Sequence, residues 1–297
     1  MTVQSSEDTY ALPNPGGNPT TSTDRLRPAY PNERLWRQIF RDGHPKLHAY
    51  QRLIGWLPSP PRCNVCHVPF DGLGGRLMRL RGCHPSDRNT RYCNRCDRVI
   101  RQKPGATDVT LSMVFADVRG STTLAAQAEQ DGQRADYVRR LRHFETTVKS
   151  VLEQTNGFII DVVGDEVVAV YPPGLCGRRH AEFALNAARA LTKLAAASER
   201  AGGTILPFGV GVHTGEVFLG NRFTMDEEVP EDQLSRVRII GEHVNLAARL
   251  SAAAKTSEAL VSDDTIAALV ATPPKLERRR IPIRGLTDLL SVHVVTP

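Results

Sequence analysis

No stretch of these 297 residues approaches the roughly 18 consecutive apolar residues that a membrane helix requires, and the N-terminus lacks the charged-then-apolar pattern of a secretion signal. Both absences give the expectation of a cytoplasmic protein without a membrane partner. Internal repeats are also lacking, which sets aside solenoid and propeller architectures. Apolar residues are scarce in residues 1–30, a Ser/Thr/Asn/Pro/Gly-rich segment with the composition of a disordered tail. Charge is uneven: residues 1–105 hold 17 Lys+Arg against 8 Asp+Glu (+9), and the rest holds 21 against 24 (−3). A basic third suits nucleic acid or an anionic surface. Its arginines are scattered with no aromatics interleaved, however, the pattern of a solvated face, so nucleic acid is not the expected partner.

Between Pro31 and Leu57, apolar residues Leu35, Trp36, Ile39 and Phe40, then Leu47, Tyr50, Leu53, Ile54 and Leu57, fall at helical spacing broken by Gly43 and Pro45. Two short amphipathic helices are expected, the second ended by Pro58, Pro60 and Pro61. A cysteine module follows to about Pro104-Gly105. Beyond it, strand patterns at 109–116, 158–163, 167–171, 206–213, 216–219, 236–240, 276–283 and 291–295 alternate with helical ones at 121–154, 178–200 and from 242. That order predicts an α+β sandwich, a sheet with helices packed on it. The expected domains are a tail at 1–30, helices plus cysteine module at 31–105, and the α+β domain at 106–297.

Cys63-Asn-Val-Cys66 and Cys93-Asn-Arg-Cys96 are two C-x2-C pairs 26 residues apart. Each knuckle presents two thiolates to one tetrahedral metal, and two knuckles close a four-cysteine shell. In a cytosolic chain this pattern points to structural Zn²⁺ rather than disulfides, with iron–sulfur ligation as the other reading. Cys83 and His84 lie between the knuckles as possible substitutes. Cys176 is unpaired and reads as inert.

Two carboxylates stand at the ends of apolar strand runs: Asp117 in FADVRGST and Asp165 in DVVGDEVVAVY. Either alone is an ordinary cap or turn residue. On neighbouring strands they would hold a pair of Mg²⁺ or Mn²⁺ ions for phosphoryl chemistry. A third segment, GEHVNLAARL, places Asn245 and Arg249 four apart on one helix face. In this order and spacing the motifs resemble the class III nucleotidyl cyclases, the adenylate/guanylate cyclase family, over residues 108–295. The resemblance implies a ferredoxin-like catalytic domain at 106–297. It also implies that a nucleoside triphosphate is converted to a 3′,5′-cyclic nucleotide and pyrophosphate. Asp117 and Asp165 match the family's two metal-binding aspartates. Asn245 and Arg249 match its ribose-orienting Asn and transition-state Arg. The phosphates would rest on backbone N–H groups of the Gly120-Ser121-Thr122 turn at a helix N-terminus, and Arg284 stands where the family often carries a phosphate-contacting basic residue. In the family the metal-binding groups and the Asn/Arg pair come from opposite subunits, which implies a head-to-tail homodimer.

The chain departs from adenine readers at the two base-contacting positions, where Asp161 and Arg238 replace a Lys and an Asp or Thr. A carboxylate facing adenine N1 would meet a lone pair, which is costly in a buried site. An acceptor at 161 and a donor at 238 suit uracil, cytosine or guanine, and the bulk of Arg238 favours a pyrimidine. The departure is similar to that of the pyrimidine cyclases of bacterial anti-phage signalling, in which cUMP or cCMP activates a partner effector. The expected substrate is therefore UTP, then CTP. A guanylate or adenylate cyclase of ordinary signalling, and a silent sensor or nucleic-acid binder, are the competing readings. A further possibility is that Asp161 and Arg238 pair with each other and touch no base. The acidic insertion at 224–232 reads as a flexible loop.

Overall fold

The computed structural model describes residues 30–55, 61–88, 90–272, 275–283 and 288–297, with the backbone alone at 55 and 161–163. Its centre is β1 (Ala106–Val118), a thirteen-residue strand whose alternating side chains serve two cores. The sheet continues through β2 (Phe158–Val163), β3 (Glu166–Tyr171), β4 (Phe208–Gly220), β6 (Ala259–Ser262), β7 (Glu277–Ile281) and β8 (Leu290–Val295) in the order β2-β3-β1-β4-β6-β8-β7. A short β5 (Arg238–Ile240) pairs with the far end of β4. Only β4 and β6 run parallel among the described pairs.

On one face, Val114, Ala116 and Val118 pack with Phe144, Val148 and Leu152 of α6 (Arg134–Gln154) and with Ala184, Ala187, Ala188 and Leu191 of α8 (His180–Arg200). The alanine-rich face of α8 lets that helix lie close to the strands. On the other face, Val109, Leu111, Met113 and Phe115 join a core that contains the N-terminal segment. Trp36 and Phe40 enter it from α1 (Glu33–Arg37) and the π-helical turn Gln38–Asp42, and Ile54 from α2 (Pro45–Gly55). Val68, Met78, Tyr92 and Ile100 enter it from the cysteine module. Tyr92 stacks on Phe158 of β2, and the Trp36 indole N–H donates to the Lys103 carbonyl at 2.8 Å. The apolar core is thus continuous across residue 105. Tyr30, the first described residue, sets its ring edge against Phe218; the expected disorder of 1–29 lies outside the described residues.

Several elements differ from expectation. The single helix expected at 121–154 is two, α5 (Ser121–Gln130) and α6, because Gly132 takes a left-handed φ of 68° between them. The helix expected from 178 begins instead with α7 (Pro173–Cys176) and a 3₁₀ turn at Gly177–Arg179 before α8. The strands expected at 206–213 and 216–219 are one, β4, held by pairing with β1 along its whole length. Unforeseen elements are β6, the short α10 (Asp263–Ala267), and two helices of the cysteine module, α3 (Gly72–Leu80) and α4 (Asn94–Gln102). Glycine hides α3 in the sequence, yet at Gly75 a Cβ would collide with the Phe70 backbone, so the packing demands that residue.

Candidate active site

β1 delivers Asp117 to its C-terminal end, beside the turn that joins β2 to β3. Asp117 stands opposite Glu166 in the ladder, and the Val118 amide donates to the Asp165 carbonyl at 3.1 Å. Asp165 follows Gly164, whose φ of 62° makes the turn from β2 to β3. The sheet therefore gathers Asp117, Asp165 and Glu166. Burial pushes Asp117 above the usual carboxylate range, and the Asp165 charge adds to this, against the opposing pull of its ion pair with Arg119. Glu166 is pushed up to about 7 by burial, then by Asp117 and Asp165. Half-buried carboxylates that repel one another in this way are relieved by a hard divalent cation with oxygen ligands, so the donor set fits Mg²⁺ or Mn²⁺. Sequence reasoning missed Glu166. Its signal was the two-residue period of β3, which sets it on the face of Val168.

Gly120, at φ 63°, precedes the first turn of α5, where the amides of Ser121 and Thr122 have no partner within the helix. Arg119 reaches from Asp117 to the carbonyls of Ala252 and Ala254, tying the carboxylate end of β1 to the end of α9 (Glu242–Ala253).

On α9, Ala247, Leu250 and Ser251 are buried, while Asn245 and Arg249 are exposed. At about 100° per residue the exposed pair lies opposite the buried trio. Asn245 and Arg249 project away from the sheet that carries Asp117, and neither bonds to another described side chain. The chain thus assembles the carboxylates and presents the Asn/Arg pair outward.

A histidine pair, with His213 buried and His243 partly so, seats α9. His213 of β4 shares hydrogen bonds with His243 of α9 (2.7 Å) and Ser262 (2.8 Å). Burial, then the neighbouring His243, push His213 down to about 4, with Asp264 opposing. An unfolded histidine titrates near 6.5, so the folded protein resists protonation that the unfolded chain accepts. The contribution of neutral, buried His213 is present above pH ~6.5 and is lost as pH falls towards 4, on the order of 3 kcal/mol. Thermal melting should fall over that window and fall less in His213→Gln. Part of the slope remains in the variant, because burial holds His67 down to about 4 as well.

The sulfurs of Cys63, Cys66, Cys93 and Cys96 all lie within 4.8 Å of one another, with Cys66 and Cys93 at 3.7 Å. A tetrahedral ion with bonds of ~2.3 Å needs edges of ~3.8 Å, so the four thiols fit one such metal. The backbone amides of Cys93 and Cys96 donate to the sulfurs of Cys63 and Cys93. Cys83 is buried nearby and is not in the set, and His84 turns to the Pro85 carbonyl. Burial pushes Cys176 up to about 12, consistent with an unreactive thiol.

Arg238 pairs with Glu227 at 3.0 Å and lies over the Phe223 ring, 5.2 Å from its centre. The Arg284 expectation and the Asp161 side chain fall outside what the structure describes. The acidic insertion is held at two points: Glu227 binds Arg238, and Glu231 binds Arg88 (2.6 Å) and Arg101 (2.9 Å) of the cysteine module.

The adenylate and guanylate cyclase catalytic domain model matches residues 105–295. Among solved structures, the guanylyl cyclase Cya2 is similar at 19% identity and a TM-score of 0.50, over 63% of this chain and 91% of that one. The guanylate cyclase domain of RhGC from Catenaria anguillulae in complex with GTP is similar at 16% identity and 0.50, over 64% and 98%. The adenylyl cyclase CyaB from P. aeruginosa is 25% identical, over 65% and 96%, with a TM-score of 0.49. No curated protein matches the chain. The family model covers more than half of the sequence, and the chain belongs to the adenylate and guanylate cyclase family. It is a nucleotidyl cyclase of that class, with a class III cyclase fold and a four-cysteine cluster in its N-terminal region. Among the described residues no helix is long and apolar enough to cross a membrane.

Proposed function

We propose that this cyclase acts on UTP, and next on CTP, in a head-to-tail homodimer. The outward face of α9 carries the dimeric site: Asn245 and Arg249 stand opposite the packed side of their helix, available to the carboxylates of a second copy. Asp117 and Asp165 would hold two Mg²⁺ or Mn²⁺ ions, which supply positive charge to the triphosphate and acidity to the ribose 3′-hydroxyl. The turn at Gly120, Ser121 and Thr122 offers backbone N–H groups at a helix N-terminus to the phosphates, joined by Arg284. Asn245 of the second copy orients the ribose. Its Arg249 donates to the charge that develops on the α-phosphate. The 3′-oxygen bonds to the α-phosphorus, the bond to the bridging oxygen breaks, pyrophosphate leaves, and the hydroxyl proton passes to water.

For the base, Asp161 accepts from uracil N3–H and Arg238 donates to a ring carbonyl. The Glu227 pair and Phe223 ring support this role by orienting the guanidinium while leaving it donors to spare. The cysteine cluster holds Zn²⁺ in this reading. Cyclic UMP or CMP would serve as a second messenger in anti-phage defence, read by a cyclic-nucleotide-binding effector in the cytoplasm.

Purified protein incubated with ATP, GTP, CTP and UTP separately, with Mn²⁺, should yield mainly cUMP by mass spectrometry. Product from ATP or GTP alone would overturn the base assignment and leave the cyclase. The double change Asp161→Lys, Arg238→Thr should shift preference towards ATP.

A further inference from the structure

We infer that Arg91 and Asp97 of the cysteine module are positioning residues for substrate selection, fixing the two strands that carry Asp161 and Arg238. The inference rests on the base-reading role proposed above and adds what sets that pair in place.

The first anchor is on β2. This strand bulges between Ile159 and Asp161: Ile159 pairs with Ala169, but position 161 pairs with Val168 where an unbroken ladder would give Val167. The extra residue decides which sheet face position 161 occupies. A bulge also leaves carbonyls without ladder partners. Arg91 supplies them, donating from Nη1 to the Ile160 carbonyl at 2.9 Å and the Ile159 carbonyl at 3.3 Å.

The second anchor is on the approach to β5. Asp97, 4% exposed, accepts from Ser235 at 2.6 Å and from Ser86 at 2.8 Å. Ser235 stands three residues before Arg238, and Val237 between them is buried in the shared core. Asn221, at the other end of the same connection, donates to the carbonyls of Ile100 (3.1 Å) and Leu234 (2.6 Å). A carboxylate so deeply buried is costly unless its bonds are made, and here they fix a loop that has little other core.

Both anchors are adjoined to metal ligands. Arg91 lies two residues before Cys93, and Asp97 directly follows Cys96 at the start of α4. The geometry of the cluster is thereby passed to both arms of the base-reading pair, and the module acts on which nucleotide is accepted as well as on folding.

The test uses the full chain and reads kcat and KM for all four nucleoside triphosphates, with metal content measured on each variant. In Arg91→Gln the ratio of kcat/KM for the preferred nucleotide over the next should fall about tenfold, chiefly through KM, with cluster metal retained. Arg91→Lys, which keeps a donor for one carbonyl, should recover part of the ratio. Asp97→Asn should lower the ratio in the same way and carries the test if Arg91→Gln does not fold. An unchanged ratio in both, or an equal fall for all four nucleotides, overturns the inference. Asp161→Asn and Arg238→Gln are run beside them. If these change the ratio while the module variants do not, only the module's role fails. If they do not change it, the base-reading role fails and this inference with it.

Discussion

Mixing two inactive variants, Asp117→Asn and Arg249→Ala, in equal amounts restores about one quarter of the wild-type rate. Each variant alone should lose about 10²–10³-fold or more, the first through the proposed metal carboxylate and the second through the proposed transition-state donor. Random exchange of subunits makes half of the dimers mixed. In a mixed dimer one site combines both defects and the other combines an intact Asp117 with an intact Arg249. The reason lies in the placement on α9, where Ala247, Leu250 and Ser251 take the inner side and leave Arg249 outside. Steady-state rates on freshly mixed and pre-equilibrated samples check this. No recovery on mixing would mean that each chain completes its own site.

Removal of the cluster metal should have the largest effect on stability. Cys63, Cys66, Cys93 and Cys96 close a site inside the same core that holds Trp36, Phe40, Leu111 and Phe158. Structural zinc contributes folding free energy directly, and the loss of about 5 kcal/mol or more corresponds to a fall of roughly 10 °C or more in melting temperature for a chain of this size. Cys93→Ser should melt that much lower with little bound metal. A strong chelator should bring wild type down to the same point and leave the variant unmoved. Differential scanning calorimetry with elemental analysis reads both. Equal melting temperatures would show that the cluster is not structural, and visible absorbance would identify an iron–sulfur centre in place of Zn²⁺.

Part of the fold around the candidate site could be read from the chain. The strand at Phe158–Val163 has the bounds expected of it, because a run of apolar residues ends at a Gly-Asp turn. Asp117 and Asp165 come together because β1 and β3 pair, an arrangement that the flanking apolar runs announced. The outward placement of Asn245 and Arg249 follows from four-residue spacing beside Ala247 and Leu250.

What escaped depends on contacts distant in sequence. Thr214-Gly215 reads as a turn, yet β4 runs straight through it, and Gly215 is required because the His243 ring lies where a Cβ would be. The insertion at 224–232 has the composition of a loose loop, but Glu231 meets Arg88 and Arg101, more than a hundred residues away. The module's contacts with β2 through Arg91 rest on a bulge that no local pattern marks.

The central claim, that paired carboxylates and an Asn/Arg pair make a cyclising enzyme, is tested most directly by counting both products. Pyrophosphate and cyclic nucleotide are quantified together from wild type and Asp165→Ala, with UTP and Mn²⁺. The account predicts equal amounts of each from wild type and neither from the variant. Pyrophosphate without a cyclic product, or equal turnover in the variant, would contradict it.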